Sequence, residues 1–391
     1  MSARVCMVAY TRYDTDNRVR RYAESLVRNG YHVDIIALRY EGESKIEMRN
    51  GVRVYRIQTR PSVEKTKIEY LFRLLKFLFR SMVYVARISK REPFQLVHVH
   101  SVPDFEVFSA SIPKLKGARV ILDIHDILPE FYASKFKVSQ HSTIFKLLTI
   151  VERLSIVFSD HVIIANDIWR KTLLERSVTE KKCTTILNYP DPAIFSRKTK
   201  ENRNQIFTFF YPGSLNRHQG LDIAIRAFAR IKDEVPHARF DILGSGRELT
   251  ILSRLIQEFG LEDRVSLKKP VRMEAVAKLM VQADVGVVPK RNDIFSGDAF
   301  STKILEFMLS GTPVIVSKTR IDDYYFNDSV VMFFEPENEE ELAQCMVRLA
   351  TDKKMRRQLA ENAYQFVQEM NWAKKEYIYL DLVSRLLKRR K

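Results

Sequence analysis

Apolar positions along the chain alternate between two patterns. Short runs rich in branched aliphatics recur at VCMVAY (5–10), VDIIAL (33–38), QLVHVH (95–100), ARVILD (118–123) and HVIIA (161–165). Between them lie longer segments, such as NRVRRYAESLVRNG (17–30), in which apolar residues return every three or four positions. The short runs have the length and composition of strands buried on both faces. The longer segments read as amphipathic helices, and Gly30 suits a helix end. Repeated strand–helix units predict a doubly wound parallel sheet whose ligand crevice lies beyond the carboxyl ends of its strands. The pattern pauses at NYPDPAIFSRKTKENRNQ (188–205), where proline, polar and charged residues predict an inter-domain linker. It resumes at FTFFYP (207–212), ARFDIL (238–243), RVSL (264–267), DVGVVP (284–289) and PVIVS (313–317). The expected fold is α/β: two Rossmann-like doubly wound domains, 1–195 and 206–371, facing a central cleft. A C-terminal helix with a basic tail, 372–391, is expected to pack back towards the first domain.

At 391 residues the chain is too long for one ordinary core, which agrees with two domains. Its three cysteines, Cys6, Cys183 and Cys345, show neither disulfide nor metal spacing and suit a reducing compartment. No uncharged apolar run approaches the ~18 residues that span a bilayer. A cytoplasmic protein is expected, peripheral on the inner face of the cell membrane.

Charge sharpens this picture. The net charge is +17, with 35 basic and 21 acidic residues in 1–200 against 30 and 27 in the remainder. Such a basic half attracts an anionic partner: nucleic acid, an acidic membrane or a phosphorylated substrate. No nucleic-acid-binding motif is visible, so a nucleic-acid partner is not expected. The segment KTKIEYLFRLLKFLFRSMVYVARISKR (65–91) is helical by period. It interleaves Leu71, Leu74, Leu75, Phe77, Leu78 and Phe79 with Lys65, Lys67, Arg73, Lys76, Arg80 and Arg87. One face is expected to cover the sheet, while rim cations and aromatics meet anionic headgroups.

The stretch DAFSTKILEFMLSGTPVIVS (298–317) carries the candidate chemistry. Asp298 follows a strand and a polar loop. Ser301 or Thr302 can cap a helix beginning near Lys303, turning the N–H groups of 299–302 towards an anion or polar ligand. Glu306 lies one turn further on. On spacing alone, Asp298 reads equally well as a loop acid and Glu306 as a surface residue. No metal-ligand cluster is evident, so neither a metal nor a separate cofactor is expected.

This stretch resembles the signature of retaining glycosyltransferases of family 4 (glycosyl transferases group 1), which have the GT-B fold. It keeps the eight-residue offset between acids, the phenylalanine and the SGTPV ending, with Asp298 in place of glutamate. The resemblance implies that Asp298 and Phe300, with the backbone amides that follow the acid, form the sugar-holding end, that Ser301 belongs to the donor-binding set, and that Glu306 binds the nucleotide ribose. FFYPGSLNRHQGLDIAIRAFARI (209–231) resembles the glycine turn that clamps the donor diphosphate. Gly213 and Gly220 are in place, but Ser214 and Gln219 replace the usual arginine and lysine. Arg217, Lys290, Arg291 and Lys303 are the cations that could substitute. Val271 and Arg272 match the nucleobase loop.

In the first half, His125 of LDIHDILPE (122–130) matches the family's strand-end histidine, which contacts the donor sugar near the reacting carbon. Asp126 and Glu130 could orient it or receive an acceptor hydroxyl, and Arg18 could contact phosphate or acceptor. His98 and His100 read as structural. The resemblance thus implies transfer of a sugar, with retention, from a nucleotide diphosphate sugar to a lipid-linked or glycan acceptor in cell-surface polysaccharide or glycolipid synthesis. A nucleotide-sugar 2-epimerase of the same architecture is the alternative.

Overall fold

The computed structural model describes residues 3–60, 67–199 and 206–388. Lys65, part of the expected linker (200–205) and the last residues of the basic tail lie outside the described residues, as does the side chain of Lys67. The chain forms two compact units, Met1–Asn188 with Glu376–Lys391, and Tyr189–Lys375.

The first unit is built on eight strands: β1 (Arg4–Ala9), β2 (His32–Arg39), β3 (Ile46–Arg49), β4 (Val52–Thr59), β5 (Leu96–His100), β6 (Arg119–Ile124), β7 (His161–Ile164) and β8 (Cys183–Thr185). Their order is β3-β4-β2-β1-β5-β6-β7-β8, parallel throughout except for the antiparallel β3–β4 pair. The second unit has β9 (Phe207–Ser214), β10 (Ala238–Ser245), β11 (Val265–Lys268), β12 (Val285–Val288), β13 (Val314–Ser317) and β14 (Met332–Phe334) in the all-parallel order β11-β10-β9-β12-β13-β14. Each sheet therefore has a switch point, between β1 and β5 and between β9 and β12, where the winding reverses and a crevice opens.

The ten strands expected from aliphatic runs are present to within a few residues. Four others, β3, β4, β8 and β14, carry a weaker signal. In β4 buried and more exposed positions alternate, because one face of VRVYRIQT meets the core. The unit boundary falls at Asn188/Tyr189, at the start of the expected linker. Phe195 is buried.

Two helices of the first unit carry exposed apolar rows. In Lys67–Arg91, Leu74, Phe77 and Leu78 are buried while Ile68, Leu71, Phe72, Phe79 and Val83 face solvent. In Thr143–Phe158, Ile144, Leu147, Ile150, Leu154 and Val157 are exposed along one side. Both helices pack on the 3₁₀ segment Asp104–Ala110. Among the described residues, no helix is long and apolar enough to cross a membrane. The C-terminal helix Trp372–Lys388 joins the first unit from Glu376 onward, where Tyr379 is fully buried and its hydroxyl lies 2.9 Å from His98 Nδ1.

Candidate active site

In the second unit, the carboxyl ends of β9 and β12 bring together residues distant in sequence. Gly220 has φ +67°, and a Cβ there would lie 1.9 Å from the Pro289 carbonyl oxygen. Only glycine lets the turn after β9 pass this close to the end of β12. Lys303 reaches into the same turn. Its Nζ is 3.3 Å from Gln219 Oε1 and 5.3 Å from the centre of the Tyr211 ring, and a Cβ on Gly213 would be 3.2 Å from it. Tyr211 fixes the turn, its hydroxyl standing 2.9 Å from the Ser214 carbonyl oxygen and 2.8 Å from Gln219 Oε1. Burial pushes the Lys303 ammonium down to about 8, against an opposing pull from Glu306. A cation beside glycine backbone at the carboxyl end of a strand suits a phosphate oxygen.

The other expected cations have different surroundings. Lys290 is buried, with Nζ 2.9 Å from Asp322 Oδ2 and 2.6 Å from the Ala299 carbonyl oxygen, so its charge is already spoken for. Burial lowers its pKa and Asp322 opposes the shift. Arg291 pairs with Asp222 at 2.5 Å and Glu337 at 3.3 Å. Arg217 is exposed on a 3₁₀ turn beside the site, and Arg272 is exposed at the start of helix Met273–Gln282.

The signature helix spans Thr302–Leu309 with Ser301 at its cap position, but the Ser301 hydroxyl makes no capping hydrogen bond. The Ala299 N–H bonds to the Ser296 carbonyl, which withdraws it from the expected ligand-facing set. Asp298 is held by Arg320, Nε to Oδ1 at 2.6 Å with a second contact through Nη2. Phe300 packs edge-on to Tyr325 at 5.1 Å between ring centres. Glu306 is half-buried, one turn after Thr302.

The first unit gathers its candidates around Asp123. In the parallel β5–β6 pairing His100 lies opposite Asp123, and His125 follows just past the end of β6, on the side of the chain that Asp123 faces. Asp123 Oδ2 is 2.9 Å from His125 Nε2 and 3.1 Å from His100 Nδ1. Arg18 closes the cluster with a two-pronged contact, Nε to Oδ2 at 3.0 Å and Nη2 to Oδ1 at 2.7 Å, and donates Nη1 to the Ile186 carbonyl at 2.9 Å. Burial acts to raise the Asp123 pKa, but Arg18 and His125 hold it well below the usual carboxylate range. Burial drives His98 and His100 down, so both are neutral imidazoles. The donor atoms of His98, His100 and Asp123 lie within 4.8 Å of one another, as a metal would require, but both Asp123 oxygens already receive Arg18.

Two expectations are corrected here. Arg18 is buried and bound to Asp123 rather than placed to contact phosphate or acceptor. Glu130 is held by Arg176, at 2.5 Å, so Asp123, not Glu130, orients His125. The sequence signal for Asp123 is its place two residues before His125 at the end of β6, a spacing that in extended backbone turns both side chains the same way.

Two family models match the chain side by side. The glycosyl transferase 4-like domain matches residues 15–188 and the glycosyl transferases group 1 domain matches 193–366. The chain belongs to the glycosyl transferases group 1 family and is a glycosyltransferase of family 4 with the GT-B fold. It is 23% identical over 380 residues, 95% of its length and 75% of the relative's, to the gpi3 subunit of phosphatidylinositol N-acetylglucosaminyltransferase from Schizosaccharomyces pombe. Sucrose-phosphate synthase from Thermosynechococcus elongatus has a similar structure, with a TM-score of 0.80, 19% identity and coverage of 98% of this chain and 100% of that one. Anabaena HepE, solved with UDP and glucose, superposes with a TM-score of 0.72 at 17% identity, covering 97% of this chain and 99% of that one.

Proposed function

We propose that the protein transfers a sugar, with retention at the anomeric carbon, from a nucleotide diphosphate sugar to a lipid-linked or glycan acceptor in cell-surface polysaccharide or glycolipid synthesis. The observation that carries this reading is Lys303, whose ammonium faces the Gly213 turn at the β9/β12 switch point. As the bond to the anomeric carbon breaks, negative charge gathers on the leaving diphosphate. An ammonium held at the carboxyl end of β9 stabilises that charge more than it stabilises the ground state. Glu306 is assigned to the nucleotide ribose. Asp298 would hold the sugar and, being tied to Arg320, would present fixed carboxylate oxygens. Phe300 and Ser301 flank it, while Arg217 and Arg272 would meet the phosphates and the base. His125 is assigned to the transferred sugar. With Nε2 held by Asp123, Nδ1 is the ring nitrogen that Asp123 leaves unengaged.

The HepE complex with UDP and glucose supports a nucleotide donor for this fold, and the gpi3 relative supports a lipid acceptor by its printed activity. An anionic membrane fits the basic first half and the exposed rows of its two helices. The test is a thermal-shift screen of nucleotide diphosphate sugars, followed by NMR of the product formed from the best binder and candidate acceptors. Transfer with unchanged anomeric configuration is expected. A stable epimer formed from donor alone, with no transfer product, would overturn the reading in favour of an epimerase.

A further inference from the structure

The second unit has a cavity of about 810 Å³ away from the residues discussed above. Asp284 lines it immediately before β12, and Gly311 and Pro313 do so just before β13. It therefore opens at the amino ends of the parallel strands, whereas Lys303 and Gly213 lie at their carboxyl ends. Five cations line it: Arg197, Lys353, Lys354, Arg356 and Arg357. Two acids also line it, and both have partners: Glu361 takes Arg197 Nη1 at 2.6 Å, and Asp284 Oδ2 accepts from the Thr208 N–H at 2.9 Å.

Local contacts account for Arg197, which pairs with Glu361, and for Arg356, but not for Lys353, Lys354 and Arg357. Four of the cations fall within the first five residues of helix Lys353–Val367, whose first turn contains no acid. Cations there oppose the positive end of the helix dipole and repel one another. The helix start is secured independently by Asp352, which accepts from the Met355 N–H at 2.8 Å. Arg356 is fixed, donating Nη1 to the carbonyls of Leu349 at 2.5 Å and Ala350 at 3.2 Å, with its guanidinium 4.9 Å from the centre of the Phe207 ring. Gly311, at φ +74°, leaves room for Arg197, since a Cβ there would fall 2.8 Å from Arg197 Cγ. The result is a concave concentration of positive charge, with Arg356 held in place and Lys353, Lys354 and Arg357 exposed around it, within the size range of small-molecule sites.

We propose that this cavity binds a phosphorylated anion carrying at least two negative charges, separately from the donor site. Such an anion would neutralise the excess cations and be favoured by the helix N-terminus behind them. The phosphate could belong to a soluble metabolite or to a phospholipid headgroup, and the experiment separates the two.

Inorganic pyrophosphate and short-chain phosphatidic acid below its micelle concentration are each titrated calorimetrically into the full chain at low salt. The proteins compared are wild type, Lys303→Ala and the double variant Lys354→Glu, Arg357→Glu. Pyrophosphate binding that survives Lys303→Ala and weakens roughly ten-fold or more in the double variant is the expected result. Binding of pyrophosphate assigns a soluble ligand, and binding of phosphatidic acid alone assigns a headgroup. The proposal fails if Lys303→Ala abolishes all binding of both probes, or if the surviving binding is unchanged in the double variant. Because the donor reading stands on Lys303 and this one on Lys354 and Arg357, the two can fail separately.

Discussion

Arg18 and Asp123 meet through two hydrogen bonds, at 3.0 and 2.7 Å, in a part of the first unit where Asp123 is fully buried. Removing one partner of such a pair leaves an uncompensated charge in the interior. Arg18→Met should destabilise the protein by about 3–5 kcal/mol, and the double change Arg18→Met, Asp123→Leu should recover much of that loss. Arg18→Lys should also destabilise it, because an ammonium cannot reproduce the fork. Urea unfolding is the measurement, and a loss under ~1 kcal/mol for Arg18→Met would contradict the role assigned to the pair. The depressed Asp123 pKa gives a stability contribution present above the unfolded-state value and lost only as pH falls through the lower folded value.

Lys303 should make donor binding sensitive to alkali. Its pKa is pushed down to about 8 by burial, so the free protein loses the ammonium as pH rises through that value. Affinity for a nucleoside diphosphate should therefore fall above about pH 8, while affinity for the free nucleoside stays level. Losing one charge-assisted contact to phosphate costs roughly 1.5–3 kcal/mol, so Lys303→Ala should weaken diphosphate binding roughly ten- to hundred-fold and flatten the pH profile. Calorimetry with both ligands between neutral and alkaline pH tests this, and a profile unchanged in Lys303→Ala would refute it.

Two buried acids under helix Lys67–Arg91 should set the alkaline side of stability. Burial raises Asp104 to about 7, partly offset by the Ser101 hydroxyl, and raises Glu106 to about 8. Between their unfolded and folded values the native state binds more protons than the unfolded chain, so stability falls as pH rises through that window. Each pH unit is worth about 1.4 kcal/mol per group while this holds. Glu106→Gln should thus gain on wild type steadily from about pH 5 to about pH 8, as read from denaturation midpoints. A constant difference across that range would show that Glu106 does not titrate as described.

Binding to anionic vesicles should depend on the first unit's two exposed helices. Lys76→Glu with Arg80→Glu should weaken co-sedimentation by roughly ten-fold or more, since each basic residue near the surface is worth about 1 kcal/mol and each reversal adds repulsion. Leu147→Glu with Leu154→Glu should reduce binding even at low salt by removing apolar contact. Rising salt should release the wild type. Indifference of the wild type to anionic vesicles at low salt would end the membrane reading and favour a soluble phosphorylated acceptor.

Continuous aliphatic runs made the inner strands readable, because a strand covered on both faces has no polar side to disguise it. Strand β4 was harder, as only alternate residues of VRVYRIQT enter the core. The apolar row of helix Thr143–Phe158 escaped for the opposite reason. TIFKLLTIVERLSIVF is apolar on most sides, and its sequence alone does not say which side is covered. Lys303 was legible from its place in the signature, but its approach to Gly213 and Gln219 depends on a fold that joins positions about 84–90 residues apart. The engagement of Lys290 by Asp322 and of Asp298 by Arg320 also required coordinates, since competing partners of a charge leave no local pattern.

The contact of Tyr379 with His98 bears on how the chain is made. Tyr379 is buried against Tyr22, 4.3 Å between ring centres, and Glu376 accepts from the Ser25 hydroxyl at 2.9 Å. The first unit emerges from the ribosome early, yet its interior is completed by residues translated after the whole second unit. At typical synthesis rates this leaves roughly ten to forty seconds in which Tyr22 and His98 lack their cover. The early unit can form its sheet in that interval, but it cannot close over this patch. A nascent chain stalled before Glu376 should therefore remain sensitive to protease and chaperone capture near Tyr22, and release of the last helix should seal it.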